Sequence, residues 1–432
     1  MASSIAAEPL DHTLALLIEG YDFISERCRR HRRDVFSTRL LMQKTLCVRG
    51  KEAAELFYDD EKFRRKGAAP LRLQKTLFGR GGIQSQDGAE HKQRKALFLS
   101  IVAPERVQEL SRIVEAECHA ALNGWEKKRR VVLFDALEEV LCRAVCAWAG
   151  APLQESEVAL RTADFHHMID GAGGIGPRHW RARKARARAD AWMSKIVAKV
   201  RAQRLPCPEG SALHAIATYR DAKGKLLRPK IAAVEVLNVL RPTVAVARFA
   251  VFAALALHEH PQCRDKLRRG GDAYLELFVQ EVRRYYPFFP FVAAKVRKSF
   301  EWQGQKFPKG RRVLLDLYGT NHDARDWQSP EIFRPERFGQ WQSNLFDFIP
   351  QGGGDVRVTH RCPGEGITVE VMKTLVRFMT QSMRYDLPRQ DLRYSLSRVP
   401  SLPKSGFVMS QMRALGKREM TSAEAGGNSL SL

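Results

Sequence analysis

Few cysteines and no long apolar run occur in this sequence, and these absences exclude several classes of protein. Eight cysteines in 432 residues are too few for a disulfide framework, and none forms a Cys-x-x-Cys pair. We therefore expect a reducing, cytoplasmic setting with seven of the cysteines buried as small hydrophobic side chains. The longest wholly apolar stretch, 249–257, is nine residues long, whereas a membrane-spanning helix needs about 20. We expect no transmembrane segment and no signal peptide, because acidic residues stand where a basic start would lie.

Positive charge is abundant, on an otherwise globular composition. The chain has 72 Lys and Arg against 48 Asp and Glu, a formal charge of +24, and 44% of its residues are hydrophobic. This composition excludes intrinsic disorder over most of the chain. The excess of arginine makes a nucleic-acid-binding protein one alternative, and RHWRARKARARAD at 178–190 is its strongest support. No nucleic-acid-binding motif accompanies that run, so we interpret it as a solvated basic helix and allow only a peripheral membrane contact.

Helical periodicity dominates the chain. The pattern predicts long helices over about 231–258, 273–286 and 365–383, and the alternating stretches 294–320 and 385–412 predict short strands. Internal repeats and Pro- or Ser-rich linkers are missing. The sequence therefore predicts one mainly α domain with small β-sheets over 1–412, followed by a mobile C-terminal tail over 413–432.

Cys362 has different neighbours from the other cysteines. It lies in QGGGDVRVTHRCPGEG, where glycines and basic residues precede a predicted helix. A thiolate is favoured at a helix N-terminus by the dipole and the free N–H groups, and small neighbours would let a flat group approach. This pattern suits a thiolate ligand of haem iron. A buried cysteine in a glycine-rich loop is the alternative that this window leaves open.

Two further motifs stand in a fixed order with Cys362. Glu281 and Arg284 lie three apart on one predicted helix face, and Arg337, in PEIFRPERF at 330–338, could join the same carboxylate. A lone pair of this kind is usually solvated. The ordered set, however, resembles the cytochrome P-450 (haem-thiolate) superfamily. The resemblance implies that superfamily's fold, haem b with Cys362 as the axial metal ligand, and Glu281, Arg284 and Arg337 as a structural triad.

The long central helix contains Arg241-Pro242 where ordinary members of the superfamily have an acid–alcohol pair that relays protons. Proline has neither an N–H nor a hydroxyl, so it cannot relay a proton, and it kinks a helix. Arg241 lies in an apolar stretch and needs an anion, because an unpaired buried charge costs several kcal/mol. From the residues alone, Arg241 could bind a substrate carboxylate or pair internally, for example with Glu235. Arg248, near the same helix face, is the competing anchor.

Longer stretches resemble the fatty-acid peroxygenases, a branch of the superfamily. These stretches are LNVLRPTVAVARF, GIQSQDGAEHKQRKALFLS, GIGPRHWRARKARARADAW, YYPFFPFVAAKV, QGGGDVRVTHRCPGEGITVEVMK and YSLSRVPSLPKSGFVMS. The resemblance implies hydrogen peroxide as co-substrate, no obligatory reductase, and a long- or medium-chain fatty acid as substrate. It implies that Arg241 holds the carboxylate, that this carboxylate acts as general acid–base, and that hydroxylation occurs at Cα or Cβ. Peroxide-driven decarboxylation to a terminal alkene is the rival activity.

The same resemblance assigns further positions. Gln84 joins Arg241 and Pro242 in the catalytic site, and Gln rather than His there favours hydroxylation, although a polar loop residue is the alternative. His91 and Arg65 would bind the haem propionates. By the same resemblance Phe78, Ile169 and Ala172 would line the substrate site, although core packing is the alternative for Phe78. Independently of the resemblance, Phe288, Phe289 and Phe291 lie in a proline-bounded turn and could line a channel for an alkyl chain, with core packing as the alternative for at least one of them. Thr359 stands where the family usually has Gly, and Thr is disfavoured if that position needs a positive φ.

Overall fold

The computed structural model describes residues 11–269 and 271–415 and is mainly helical. The α-helices are α1 Thr13–Glu19, α2 Phe23–His31, α3 Lys51–Phe57, α4 Leu71–Leu73, α5 Gly88–Ile101, α6 Pro104–Trp125, α7 Leu133–Ala149, α8 Val158–Asp170, α9 Pro177–Arg201, α10 Ala212–Thr218, α11 Pro229–Ala245, α12 Ala247–Glu259, α13 Pro261–Arg269, α14 Gly271–Tyr285, α15 Leu317–Asn321 and α16 Glu365–Arg377. Single π-helical turns follow α4 at Gln74–Phe78 and α16 at Phe378–Ser382. The predicted mainly α architecture is confirmed.

Small sheets flank the helices. The strands are β1 Val35–Leu40, β2 Gln43–Val48, β3 Phe63–Arg64, β4 Arg130–Val132, β5 Phe291–Val296, β6 Phe300–Trp302, β7 Gln305–Phe307, β8 Arg312–Asp316, β9 Met383–Asp386 and β10 Val408–Ala414. One sheet has the order β1-β2-β8-β5-β3, a second has β4-β10-β9, and β6 pairs with β7. Only the β2–β8 pairing is parallel among these described strands, with Thr45 opposite Arg312. The five-stranded sheet thus joins the start of the chain to its last third.

The main hydrophobic core lies among α6, α7, α11, α12, α14 and α16. The segment Pro229–Glu259, which comprises α11 and α12, is long and apolar enough to cross a membrane by length and composition alone. However, 94% of its most apolar window is buried inside the fold, as expected for a helix that is apolar on every face because protein surrounds it. We therefore interpret it as a core helix.

The kink predicted at Pro242 is displaced by one turn. Pro242 lies inside α11, and the helix breaks at Val246, between α11 and α12. The N–H of Val246 donates to the Thr243 carbonyl rather than to the carbonyl of Pro242. The prediction of a kink at Pro242 is therefore wrong, because the helix continues through this residue and is interrupted only at Val246.

The last strand extends through Ala414, so the first residues of the predicted tail pair in a sheet. The remainder of that tail, from residue 416, lies outside the described residues, and the division into domain and tail stays a prediction. Of the seven cysteines expected to be buried, six are, and Cys207 is partly exposed. Within residues 11–269 and 271–415, no cluster of three or more His, Cys, Asp or Glu could hold a metal ion.

Candidate active site

Cys362 lies in a loop, residues 351–364, that leads into α16; we call it the cysteine loop. The Cys362 N–H donates to the Gln351 carbonyl at 3.0 Å, which closes the loop. Burial raises the pKa of the Cys362 thiol, whereas the Gly364 N–H and the charges of Lys95 and Arg283 act in the opposite direction. A cation bound to the sulfur would remove its proton, so the loop presents a protected sulfur suited to a metal.

Thr359 keeps the cysteine loop closed without strain. Its backbone lies outside the positive-φ region, which in this loop is occupied by Gly352 and Gly354. The Thr359 hydroxyl lies 2.9 Å from the carbonyls of both Gly353 and Asp355. A Cβ at Gly354 would collide with the Thr359 methyl group. The glycine that the family usually has at 359 is therefore not required, because the left-handed conformation falls on Gly354.

The predicted triad is assembled around one buried carboxylate. Arg284 donates from Nε and Nη2 to the two oxygens of Glu281, both at 2.8 Å, and Arg337 Nε donates to Oε1 at 3.1 Å. The remaining guanidinium nitrogens donate to backbone carbonyls, among them those of Asn321 and Ile332. Glu281 and Arg284 are 0% exposed. This closed network fixes α14 against the loop that precedes the cysteine loop.

Arg241 is also buried, but its charge is not matched in the same way. Its Nη1 donates to the Leu77 carbonyl, and no carboxylate lies within ion-pair distance among the residues that the structure describes. Burial, with repulsion from Arg186, lowers the pKa of Arg241 to about 9, and Asp190 offsets only part of this effect. A carboxylate, which matches the guanidinium fork, would stabilise such a group.

The suggested internal partner of Arg241, Glu235, and the competing anchor, Arg248, both lie near other charged groups. Glu235, the suggested internal partner, accepts from Arg94 Nη1 at 3.0 Å and also from Asn238. Arg248 lies 3.6 Å from Glu138, with its guanidinium over the Phe134 ring. Glu235 is thus engaged by other partners, whereas Arg248 lies near Glu138 without a hydrogen bond from its Nε or Nη1 to any described residue.

An apolar cluster lies next to Arg241 and contains four of the predicted substrate-lining residues. Its members are Leu77, Phe78, Ile169, Ala172, Ala245 and Phe288. Leu77 and Phe78 belong to the π-helical turn whose carbonyl Arg241 holds, and Ala245 lies one helical turn after Arg241. We call this set the apolar cluster. Together with the guanidinium, this set would suit a ligand with an anionic head and an alkyl chain.

Phe289 and Phe291 are not part of the apolar cluster. The Phe289 side chain is 40% exposed and contacts Phe288 edge-on. Phe291 begins β5, where alternation directs it toward the core formed by α2 and the five-stranded sheet. Of the three phenylalanines expected to line one channel, the structure brings only Phe288 to the cluster.

Comparisons with known proteins bear on this arrangement. A family model described as cytochrome P-450 matches residues 273–409, which include the triad and Cys362. The structure of cytochrome P-450SP alpha (CYP152B1) in complex with (R)-ibuprophen is 48% identical, with a TM-score of 0.92 over 94% of this chain and 100% of that chain. Cytochrome P-450EX alpha (CYP152N1) with myristic acid is 43% identical, with a TM-score of 0.93 over 96% of this chain and 100% of that one. The chain belongs to the cytochrome P-450 family.

The similarity extends to other members of the family. A variant of cytochrome P-450 OleT in complex with arachidonic acid is 34% identical, with a TM-score of 0.93 over 96% of this chain and 100% of that chain. Cytochrome P-450 26B1 of Bos taurus is 21% identical over 411 residues, 86% of this chain and 78% of that protein. The predicted resemblance to the cytochrome P-450 superfamily and its fatty-acid peroxygenase branch is confirmed, since the similar structures are CYP152 proteins.

Membership of the cytochrome P-450 family implies a haem whose iron is held by a cysteine thiolate, and basic side chains beside the cysteine loop fit this cofactor. The His91 ring of α5 stacks on that of His360 at 3.8 Å, and Arg65 lies 4.1 Å from the Phe57 ring centroid. Burial lowers the pKa of His91 to about 4 and, with repulsion from Arg65, that of His360 well below its usual value. Asp87 is the carboxylate beside them, 3.8 Å from His360. The two propionates of a haem would supply the negative charge that is missing around these buried basic side chains.

Sequence reasoning missed Lys95, which also reaches the cysteine loop. Its ammonium group donates to the Thr359 carbonyl at 3.0 Å and to the Arg361 carbonyl. The side chain is 1% exposed, and burial lowers the pKa of Lys95 to about 8. The available signal was its position four residues after His91, on the same helix face.

Sequence reasoning also missed Ala245 in the apolar cluster and Arg186 on α9. Arg186 lies within the basic run that we interpreted as solvated, yet its side chain is 3% exposed. Buried Ala182, Ala185 and Ala189 mark the inner face of α9 at helical spacing, and Arg186 falls on that face. The interpretation of this helix as merely solvated is therefore corrected, because one of its cations is in the interior.

Proposed function

We propose that this cytochrome P-450 uses hydrogen peroxide to hydroxylate fatty acids at the α or β carbon. The observation that supports the proposal is the buried Arg241 guanidinium, which lies beside the apolar cluster and makes no ion pair with a carboxylate in the described part of the chain. A fatty acid offers a carboxylate for the guanidinium and an alkyl chain for the cluster. Burial of the chain drives binding, and the ion pair fixes its direction.

Haem held through Cys362, with Arg65 and His91 at its propionates, would supply the oxidising chemistry from hydrogen peroxide. The contribution of the chain is to position groups around it. Arg241 holds the substrate carboxylate, and that carboxylate accepts a proton from one peroxide oxygen and returns it to the other. Positioned proton transfer typically contributes about 10²–10⁴-fold to a rate. Pro242 cannot serve this role, so the substrate itself completes the site.

The fixed carboxylate also determines which carbon reacts. With the head group held by Arg241, only the carbons next to it lie near the reacting centre, whereas the rest of the chain is retained among Phe78, Ile169, Ala172 and Phe288. Two similar structures support fatty-acid binding, because they contain myristic acid and arachidonic acid. A ligand without a carboxylate should react poorly.

Decarboxylation to a terminal alkene is the alternative within the same chemistry. Gln84 is the position that the resemblance connects with this choice, and Asn238 Nδ2 donates to its Oε1 at 3.2 Å. Asn238 also donates to Glu235, so the Gln84 amide is linked through Asn238 to the ion pair between Glu235 of α11 and Arg94 of α5. Glutamine here favours hydroxylation.

A nucleic-acid-binding role finds less support, because the basic run on α9 is partly neutralised within the fold. Its ion pairs are Arg178–Asp170, Arg186–Asp190 and Arg188–Asp164. The remaining positive charge is free to attract anionic substrates or a membrane surface. We extend the proposal to a cytoplasmic setting and to independence from a reductase, with free cysteines consistent with reducing conditions.

The test is product analysis with myristic acid and hydrogen peroxide in the absence of any reductase. The proposal predicts 2- or 3-hydroxy acids as the main products. Terminal alkenes would favour the alternative, and no turnover by the haem-loaded enzyme would contradict both. Loading is checked separately by the carbon monoxide difference spectrum typical of thiolate-bound haem.

A further inference from the structure

A second buried arginine lies beside Arg241. Arg186 extends inward from α9, and its Nη1 donates to the Leu77 carbonyl at 3.0 Å. Arg241, from α11, donates to the same oxygen. A carbonyl oxygen has two lone pairs, so it can accept from both guanidinium groups. Two cations from different helices are thereby held at one point of the backbone, on the turn that supplies Leu77 and Phe78 to the apolar cluster.

The chain makes room for Arg186 at this point. Gly79 has a φ of +79°, and a Cβ there would collide with Arg186 Nη2 and with Val234. A side chain other than hydrogen would thus be strained by the backbone and would displace the guanidinium. The position of Arg186 is built into the turn after Phe78 rather than being a chance surface contact.

The charges at this point do not balance. Asp190 Oδ1 lies 2.8 Å from Arg186 Nη2, and its side chain is 38% exposed, so its charge is partly screened by water. Arg186 and Arg241 are both at least 96% buried, where charge interactions are strong. Two buried cations against one partly solvated carboxylate leave about one positive charge for a ligand to neutralise.

We propose that Arg186 and Asp190 set the affinity of the carboxylate site, with Arg186 as a positioning residue that acts through Arg241 and the Leu77 carbonyl. Arg186 adds to the positive potential that attracts the anion and holds the turn against which Arg241 is oriented. Asp190 reduces that potential. The inference rests on the proposed function, because the ligand is the fatty-acid carboxylate.

This arrangement predicts effects of opposite sign at two neighbouring positions. Neutralising the cation with Arg186→Gln removes attraction for the ligand carboxylate, so its Kd should rise by about 10-fold or more. Neutralising the acid with Asp190→Asn removes repulsion, so the Kd should fall by about 2- to 5-fold. A purely structural role would weaken binding in both variants. Arg186→Lys, which retains the charge, should lie between wild type and Arg186→Gln.

The experiment is calorimetric titration of the haem-loaded enzyme with myristic acid and with the uncharged 1-tetradecanol. Tetradecanol affinity should change less than myristic acid affinity in both variants, because no charge is bound and only the packing of the turn at Leu77 can contribute. Lys184→Gln removes a positive charge from the exposed face of the same helix and is the matched control, for which both affinities should be unchanged.

The outcomes separate the two proposals. Wild-type enzyme that does not bind myristic acid contradicts the proposed function and this inference together. Wild-type enzyme that binds it, with Asp190→Asn unchanged or weakened, overturns the inference alone. If Arg186→Gln does not fold, the sign of the Asp190→Asn effect still decides, because Asp190 is partly exposed and its amide variant keeps the shape of the side chain.

Discussion

Two regions of this cytochrome P-450 contain buried arginines, and they differ in how the charge is matched. Around Glu281 the guanidinium groups of Arg284 and Arg337 share a carboxylate, and backbone carbonyls accept from their other nitrogens. At Leu77 the guanidinium groups of Arg241 and Arg186 share a carbonyl, and the nearby carboxylate of Asp190 pairs with Arg186 only. In the first arrangement each guanidinium contacts the carboxylate, whereas in the second Arg241 contacts no carboxylate among the described residues. We infer that a closed network stabilises the fold and an open one binds a ligand.

The largest expected effect comes from the open network. Arg241→Ala should lower the rate of myristic acid hydroxylation by about 10²-fold or more, because the carboxylate is no longer positioned for proton transfer. The melting temperature of the ligand-free enzyme should be unchanged or higher, because an uncompensated buried charge is removed. Both are measured on the haem-loaded protein, by product analysis and by thermal unfolding.

Arg248 provides the matched control for Arg241. It is equally buried but lies near Glu138, so Arg248→Lys should retain the regiochemistry and most of the turnover. Wild-type activity in Arg241→Ala, together with lost activity in Arg248→Lys, would transfer the role of anchor to Arg248. It would contradict the assignment of ligand binding to the network at Leu77.

In the closed network around Glu281, a substitution should lower the stability of the fold. Glu281→Gln leaves two buried guanidinium groups without their counter-charge and should lower the free energy of unfolding by about 3–5 kcal/mol. Denaturant unfolding of the purified variant measures the change. A loss below about 1 kcal/mol would mean that backbone carbonyls alone hold Arg284 and Arg337. The Glu281 carboxylate would then not be what stabilises this network.

A histidine beside the closed network should make the fold sensitive to acid. Burial, with repulsion from Arg284, lowers the pKa of His322 to about 3, so the folded protein keeps the ring neutral while the unfolded chain binds a proton below its ordinary pKa. The stability due to neutral His322 is therefore present above about pH 6.5 and is lost as the pH falls toward 3. At pH 5 the loss should be about 1–2 kcal/mol.

His322→Phe tests this expectation, since it keeps a ring beside Tyr318 but cannot titrate. The difference in unfolding free energy between pH 7 and pH 5 should be about 1–2 kcal/mol smaller in the variant, whatever the constant loss from the missing hydrogen bond to the Tyr318 carbonyl. An equal difference in both proteins would show that His322 does not titrate in this range.

The smallest expected effect concerns the product. Gln84→His should raise the proportion of terminal alkene by a few-fold, which corresponds to less than about 1.4 kcal/mol between the two pathways. Gas chromatography of the products measures the ratio. Gln84→Leu also removes the hydrogen bond from Asn238 but supplies no imidazole, so it should not raise the alkene fraction. A rise in both variants would assign the effect to loss of the amide.

Much of the fold could be predicted because helical periodicity is strong where one face is buried. Strands β1 and β2 were not predicted, because the five-stranded sheet is covered on both sides: Leu46 and Val48 pack toward α3 and Cys47 toward α2. Their side chains then do not alternate between apolar and polar, and periodicity cannot distinguish such a strand from a buried helix segment.

Site residues could be predicted where residue types and their order along the chain define a motif. They could not be predicted where a residue's role depends on packing. Cys362 and Glu281 lie in motifs whose residue types and order suffice. Phe291 was placed in the substrate channel by its proximity to Phe288, but the start of β5 directs it to another core. Arg186 could not be distinguished from the other arginines of α9, because its burial depends on where α11 and the turn at Leu77 lie.

Residue types and their spacing are enough to identify the family resemblance, the candidate metal ligand and the presence of a cation in an apolar helix. Which of the buried arginines have a counter-charge cannot be seen from residue types and spacing. That depends on contacts between segments far apart in the chain, such as Arg94 with Glu235 and Arg248 with Glu138. The cost of a buried charge is fixed locally, whereas the group that offsets it is chosen by packing.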